Sequence, residues 1–271
     1  MTRIAALFEN LKRENRKALI TYITAGDPAP DRTAGLALAL ERGGADLIEL
    51  GVPFSDPVAD GPVIQRAGDR ALRAGTTVKR VLGIAREIRS KSEIPLLLFT
   101  YLNPVLRYGL EALARDAKAA GIDGILLTDA SVEEAEQFTR VMRAAGLDTV
   151  FLAAPTSSPR RLKLVAQYSS GFVYLVSRTG VTGEQSSISA SVAPLVNAMR
   201  EHTNLPLAVG FGVSRPEHVA ELGSQVEGVV VGSAIMSLIE RNPDEQVLEA
   251  FTRELKSGFL FSKDYAILTS R

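Results

Sequence analysis

An α/β fold of the (β/α)8 type, the TIM barrel, is what this sequence predicts, and three observations carry the prediction. Eight short apolar runs, many of them β-branched, alternate with longer segments of helical period. The spacing of these βα units is the only repeat, and no linker or low-complexity tract interrupts it. The 271 residues suit one such barrel, which uses about 250 residues as a single domain. Residues 1–271 therefore read as one domain. The structural rival is a doubly wound open sheet. It would normally carry a glycine-rich turn after its first strand, where this chain has GDPAPD.

Strands are expected at 18–25 (ALITYITA), 46–52 (DLIELGV), 95–101 (PLLLFTY), 124–129 (GILLTD), 149–154 (TVFLAA), 172–177 (FVYLVS), 207–211 (LAVGF) and 228–232 (GVVVG). Between them, helical patterns run over 31–42, 63–73, 78–89, 110–120, 132–145 and 190–201. Ser158-Pro159 reads as an N-cap followed by Pro at the first helical position, and Gly43 and Gly121 read as helix stops. An extra N-terminal helix at 4–13 and a C-terminal tail after residue 253 read as additions that cover the barrel's ends.

Composition narrows the function. Lys+Arg and Asp+Glu number 31 each, so no basic surplus grips nucleic acid or anionic membrane. The absence of cysteine removes disulfides, thiolate metal sites and a cysteine nucleophile. The charged start MTRIAALFENLKRENRK is unlike a signal peptide, and no apolar run approaches the ~18–20 residues of a membrane span. A cytoplasmic protein is the expectation.

In this fold chemistry sits where strands end and βα loops begin. Neither histidine, His202 or His218, falls there, and none of the eight lysines does. A Schiff-base mechanism and a catalytic zinc both lack candidates, so no metal is expected and carboxylates remain. In Leu47-Ile48-Glu49-Leu50-Gly51 the period of two sends Ile48 and Leu50 toward the helices and Glu49 into the barrel. Desolvation there raises a carboxyl pKa toward neutrality and suits it to proton shuttling. The plain alternative is a structural carboxylate paired with a buried Arg or hydroxyl. Asp60, in the loop PFSDPVADGP, has an equally plain alternative as the N-cap of a helix starting near Pro62.

Two later motifs point to phosphate. Gly210-Phe211-Gly212 ends the seventh strand and Gly232-Ser233 the eighth, the loops that cradle phosphate in this fold. Glycine lets backbone N–H groups approach the anion, and Ser233 adds a hydroxyl. The run from Arg178 to Ser187, after the sixth strand, is small and polar; it suits a lid or simply a surface loop.

The run LIELGVPFSDPVADGPVIQRA resembles the signature of tryptophan synthase α subunits. ITAGDP at 23–28, TYLNP at 100–104, SRTGVTG at 177–183, GFGVS at 210–214 and VVVGSA at 229–234 resemble the same family in the same order. The resemblance implies a retro-aldol cleavage of indole-3-glycerol phosphate into indole and glyceraldehyde 3-phosphate, without a cofactor on this chain. It implies that Glu49 is the general acid/base and that Asp60 stabilises positive charge on the indole ring. Tyr22 and Tyr101 match ring-pocket positions and Tyr174 one near the pocket. Gly183, Gly212, Gly232 and Ser233 match phosphate positions, and Thr182 matches a lid residue that orders Asp60. The implied partner is a β subunit in an α2β2 heterotetramer, and pyridoxal phosphate belongs to that partner.

Departures from the family pattern fall mainly in loops. Asp129-Ala130-Ser131 stands where Asp-Leu-Pro is usual, and Glu184-Gln185-Ser186-Ser187 lacks the usual lid Arg. Tyr22 replaces a common Phe, and Leu102 a common aromatic. Three rivals remain in view. Indole-3-glycerol phosphate synthase would place a Lys at strand ends, and phosphoribosylanthranilate isomerase a Cys and an Asp. A silent barrel that only activates a β subunit need not keep an inward Glu.

Overall fold

The structure is a computed structural model that describes residues 1–176, 188–210 and 212–268. Its strands are β1 (Ala18–Thr24), β2 (Leu47–Gly51), β3 (Leu96–Thr100), β4 (Gly124–Leu127), β5 (Asp148–Val150), β6 (Leu152–Ala153), β7 (Val173–Val176), β8 (Leu207–Gly210) and β9 (Gly228–Val231). All pairings are parallel, in the order β5-β4-β3-β2-β1-β9-β8-β7-β6. Only Phe151 separates β5 from β6, so the two are one barrel strand with a break, and the sheet curls into a TIM barrel. At the break the Phe151 carbonyl accepts the Tyr174 N–H at 3.1 Å, which keeps the ring hydrogen-bonded across it.

The helices are α1 (Arg3–Arg13), α2 (Thr33–Arg42), α3 (Pro62–Arg73), α4 (Val78–Arg89), α5 (Leu102–Tyr108), α6 (Leu110–Ala119), α7 (Glu136–Ala144), α8 (Pro159–Tyr168), α9 (Ile188–Arg200), α10 (Pro216–Gly223), α11 (Ser233–Arg241) and α12 (Glu245–Leu268). The expected element order is present, with most ends shifted by a residue or two. Ser158 caps α8 by accepting the Arg161 N–H at 3.3 Å. The pattern expected as one helix over 132–145 is a 3-10 turn at Val132–Glu134 followed by α7. The supposed C-terminal tail is the end of α12, which starts at Glu245 and packs on α2 and α10. Its buried Leu248, Thr252 and Leu255, three or four residues apart, form the helical stripe that makes it part of the outer layer.

Alternation along the strands sorts the apolar side chains into two cores. Ile48 and Leu50 join the layer between strands and helices. Ile20, Leu47, Leu97, Leu126, Val150, Ala208 and Val230 fill the barrel interior. Ile4, Phe8 and Leu11 of α1 belong to that interior cluster, so the N-terminal helix plugs the end at which the strands begin. Phe8 meets Phe172 with ring centroids 5.7 Å apart. Polar contacts fix the plug. The Thr2 hydroxyl accepts the Ala5 N–H at 3.1 Å and donates to the Asp148 carboxylate. Arg3 donates to Asp123 at 3.2 Å, and the same buried carboxylate accepts from Arg89 and from the Leu96 N–H.

Phe8→Ala should destabilise the chain by about 3–5 kcal/mol, the range for removing a buried phenyl ring. Denaturant unfolding checks this, and an unshifted midpoint would show that α1 contributes nothing to the interior core.

Candidate active site

A cavity of about 450 Å³ opens at the C-terminal ends of the strands. The strand register places Glu49 of β2 beside Tyr22 of β1 on one side and Leu97 of β3 on the other. Glu49 lines the cavity yet is only 1% exposed. Its Oε1 has no hydrogen-bond partner. The alternative of a carboxylate paired with Arg or a hydroxyl is thus not met at that oxygen. Burial pushes the carboxyl up to about 8, because nothing nearby repays the lost hydration of the anion.

Asp60 lines the same cavity from the loop after β2. It is not the cap of α3. Gly61 holds that place without a side-chain bond, and Pro62 follows as the first helical residue. With the capping role gone, the Asp60 carboxyl is free to face the cavity. Burial raises it to about 6, and the Tyr101 hydroxyl works in the opposite sense. At neutral pH Glu49 is therefore mostly protonated and Asp60 mostly ionised.

Tyr22 and Tyr174 line the cavity, and burial holds both hydroxyls well above their ordinary range. Each ring depends on a glycine. A Cβ at Gly51 would lie 2.2 Å from the Tyr22 Oη, and one at Gly210 would lie 2.1 Å from the Tyr174 Oη. Gly210 thus makes room for a tyrosine, whereas its sequence motif suggested a phosphate loop. Tyr22 also packs edge-on against Phe99, with centroids 5.3 Å apart. With Ile64, Leu152 and Val176 these rings give an apolar wall suited to a flat heteroaromatic group.

Tyr101 adjoins the cavity at Asp60, whose carboxyl its hydroxyl reaches. That hydroxyl also accepts the Ala59 N–H at 3.1 Å, and the ring packs against Phe54 at 5.1 Å, so Tyr101 supports the carboxylate's loop.

Gly212, Gly232 and Ser233 all line the cavity. Gly212 has a left-handed φ of +71°, and Gly232 and Ser233 open α11. The first N–H groups of a helix have no partner within it and carry its positive dipole end. Ser214, Ser237 and Thr128 also line the cavity, and sequence reasoning missed all three. Ser237 had a signal, since it sits one turn beyond Ser233 on the same helix face. His218 serves locally, accepting the Ser214 N–H at 3.4 Å. Among the described residues no group of three or more His, Asp or Glu side chains gathers to hold a metal. Thr182 and Gly183, like the rest of the run at 177–187, lie outside the described residues.

Comparison with known proteins decides the family. The model of the tryptophan synthase alpha chain matches residues 8–260. The chain belongs to the tryptophan synthase alpha chain family. A relative of that name from Solibacter usitatus is 73% identical over 263 residues, spanning 96% of this chain and 98% of its own. One from Geotalea uraniireducens is 50% identical over 95% of this chain and 98% of its own. The crystal structure of the alpha subunit from Legionella pneumophila superposes with a TM-score of 0.85 at 37% identity, covering 95% of this chain and 98% of that one. A chain of Mycobacterium tuberculosis tryptophan synthase gives 0.87 at 38% identity, with the same coverage of both chains. As a member of this family the protein is a lyase of tryptophan biosynthesis that cleaves indole-3-glycerol phosphate.

Gly232→Asp should fold, because its Cβ would meet nothing closer than the Tyr22 Cβ at 3.4 Å. If the α11 N-terminus takes the substrate's phosphate, the new carboxylate opposes it and KM should rise at least about tenfold, like charges opposed costing several kcal/mol. Steady-state indole release measures it, and an unchanged KM would move the phosphate elsewhere.

Proposed function

We propose that Glu49 and Asp60 carry the carbon–carbon cleavage, with the phosphate held by Gly212, Gly232, Ser233 and the α11 N-terminus. The observation that supports this reading is the presence, on one cavity, of a buried carboxyl with an unpartnered oxygen, raised to about 8, and a second carboxyl near 6. Indole is a poor carbon leaving group until its C3 is protonated. Protonated Glu49 supplies that proton, and ionised Asp60 accepts the ring N–H and offsets the positive charge that develops there. The Glu49 carboxylate then takes the proton of the neighbouring hydroxyl. The carbon–carbon electron pair returns to the ring, releasing indole and the aldehyde of glyceraldehyde 3-phosphate. The proton lost by the hydroxyl replaces the one given to C3, so no metal, redox or organic cofactor is needed on this chain. Phosphate bound at the far end spends remote binding energy on orientation.

Glu49→Gln keeps the shape and loses the proton, and should lower turnover by about 10²–10⁴-fold. In the wild type kcat/KM should rise through about pH 6 as Asp60 ionises and fall above about pH 8 as Glu49 loses its proton. A flat profile between pH 5 and 9 would remove both residues from these roles, and near-normal indole release by the Gln variant would remove Glu49.

Membership of the family implies a β-subunit partner. An α2β2 heterotetramer in the cytoplasm, with pyridoxal phosphate on the β subunit, is the assembly we favour. Among the described residues Val58 is 84% exposed and Leu106 60%, on the loop after β2 and on α5. The Tyr101 bond to Ala59 ties these two units together, and the Leu102 N–H donates to Asp129 at 2.7 Å, which ties in the loop after β4. The usual-family departures at 102 and 129–131 thus sit on one connected surface. Leu106→Asp should weaken binding to a β subunit by about tenfold, as loss of one buried apolar anchor does, with indole release by the isolated chain unchanged. Sedimentation of the mixture tests this; undiminished complex formation would exclude α5 from the interface.

A further inference from the structure

The charged cluster at Asp27, Arg66, Arg70 and Glu240 takes no part in the chemistry above, yet it joins three of the units that build the site. Arg70 of α3 donates through Nε and Nη2 to the two carboxylate oxygens of Asp27, at 2.7 and 2.9 Å. Its Nη1 donates to Glu240 at 2.7 Å. Arg66, one turn earlier, grips the same Glu240 through both oxygens at 2.9 and 2.8 Å. The Asp27 side chain is 1% exposed. The hydrogen bonds from Arg66 and Arg70 hold the Glu240 carboxyl down at about 2, so the pair stays ionised over the working range.

The placement of these groups matters more than their number. Asp27 belongs to the loop after β1, the strand that carries Tyr22. Helix α3 begins just after Asp60, and α11 begins at the phosphate residues Gly232 and Ser233. At ~1.5 Å per residue, Arg70 lies roughly 12 Å down α3 from Pro62, and Glu240 lies at nearly the same depth down α11. The bond between them therefore sets how two neighbouring helices lie side by side. The upper end of one carries the carboxylate for the indole ring, and the upper end of the other carries the cradle for the phosphate.

We propose that Arg70 is a positioning residue which, through Asp27 and Glu240, fixes the span between Asp60 and the phosphate cradle. The site is thereby matched to ligands that carry an indole ring and a phosphate at one separation. This rests on the functional reading above. Two-ended ligands need both helix ends in register, whereas one-ended ligands do not.

The test uses the full chain and three probes: a non-cleavable indole–alkyl phosphate, indole alone, and inorganic phosphate alone. In Arg70→Met the affinity for the two-ended probe, and kcat for the substrate, should fall roughly 10–100-fold, the effect of misplacing reacting groups by about 1 Å. Both one-ended probes should keep their wild-type affinity. Arg70→Lys, a single point charge that cannot fork between two carboxylates, should recover only part of the loss. Equal weakening of all three probes would assign Arg70 to stability alone and overturn the proposal, as would wild-type binding and turnover by Arg70→Met. Should that variant fail to fold, Glu240→Gln, which leaves the Asp27–Arg70 pair intact, must show the same selective loss, and its failure to do so refutes the clamp. Near-normal turnover by Glu49→Gln, with the selective loss in Arg70→Met retained, would instead refute the functional reading and leave the clamp standing.

Discussion

Closure of a parallel sheet on itself leaves every second side chain nowhere to go but inward, and the rest of this structure answers that constraint. At the lower end the answer is hydrophobic: Leu47, Leu97, Leu126 and Val150 meet in the interior, and α1 seals them from water. Toward the other end, inward positions of β1, β2 and β7 are Tyr22, Glu49 and Tyr174. A single strand, β2, thus carries a core leucine at 47 and a proton-bearing carboxyl at 49 on one face. The cost of burying that carboxyl is set by the same closure that packs the core, since a closed ring gives it no route to solvent along the strand.

The two carboxyls differ because their supports differ. Glu49 sits on a strand whose backbone N–H and C=O groups are engaged with neighbouring strands, so the strand itself offers its side chain no donor, and Oε1 has no partner. Asp60 sits on a loop, where a hydroxyl can reach it and some solvent remains. Secondary structure thereby separates an acid from an anion within a dozen residues. A pair of similar groups whose surroundings push them apart is the usual way one site handles proton donation and charge stabilisation together.

Legibility in the sequence followed the same division. The inward position of Glu49 could be read from residues 47–51, because a period of two is imposed by the strand itself. The positions of Gly212, Gly232 and Ser233 followed from the loops they end. What could not be read depended on contacts between distant segments. Tyr101 has a strand-end position, and its bonds to Ala59 and Asp60 depend on the path of a loop some 42 residues away in the chain. Gly210 resembles a phosphate glycine until the Tyr174 hydroxyl is seen to occupy its missing side chain's place. The end of α12 reads as a tail because its buried stripe has meaning only against α2 and α10. Asp60 as a helix cap was sound local reasoning, displaced when Gly61 took the entry position.

The plug at the lower end also dictates an order of events during synthesis. Helix α1 leaves the ribosome before the strands it covers, with Ile4, Phe8 and Leu11 on one face. Its polar anchor, Asp148, is 146 residues away from Thr2, and the ring that covers Phe8 is at position 172. An amphipathic helix must therefore wait, its apolar face uncovered, until two-thirds of the barrel has been translated. Such a long separation slows folding and leaves sticky surface exposed meanwhile. The seal is made before the interior it closes, and until that interior arrives its apolar face has nothing of this barrel to cover it.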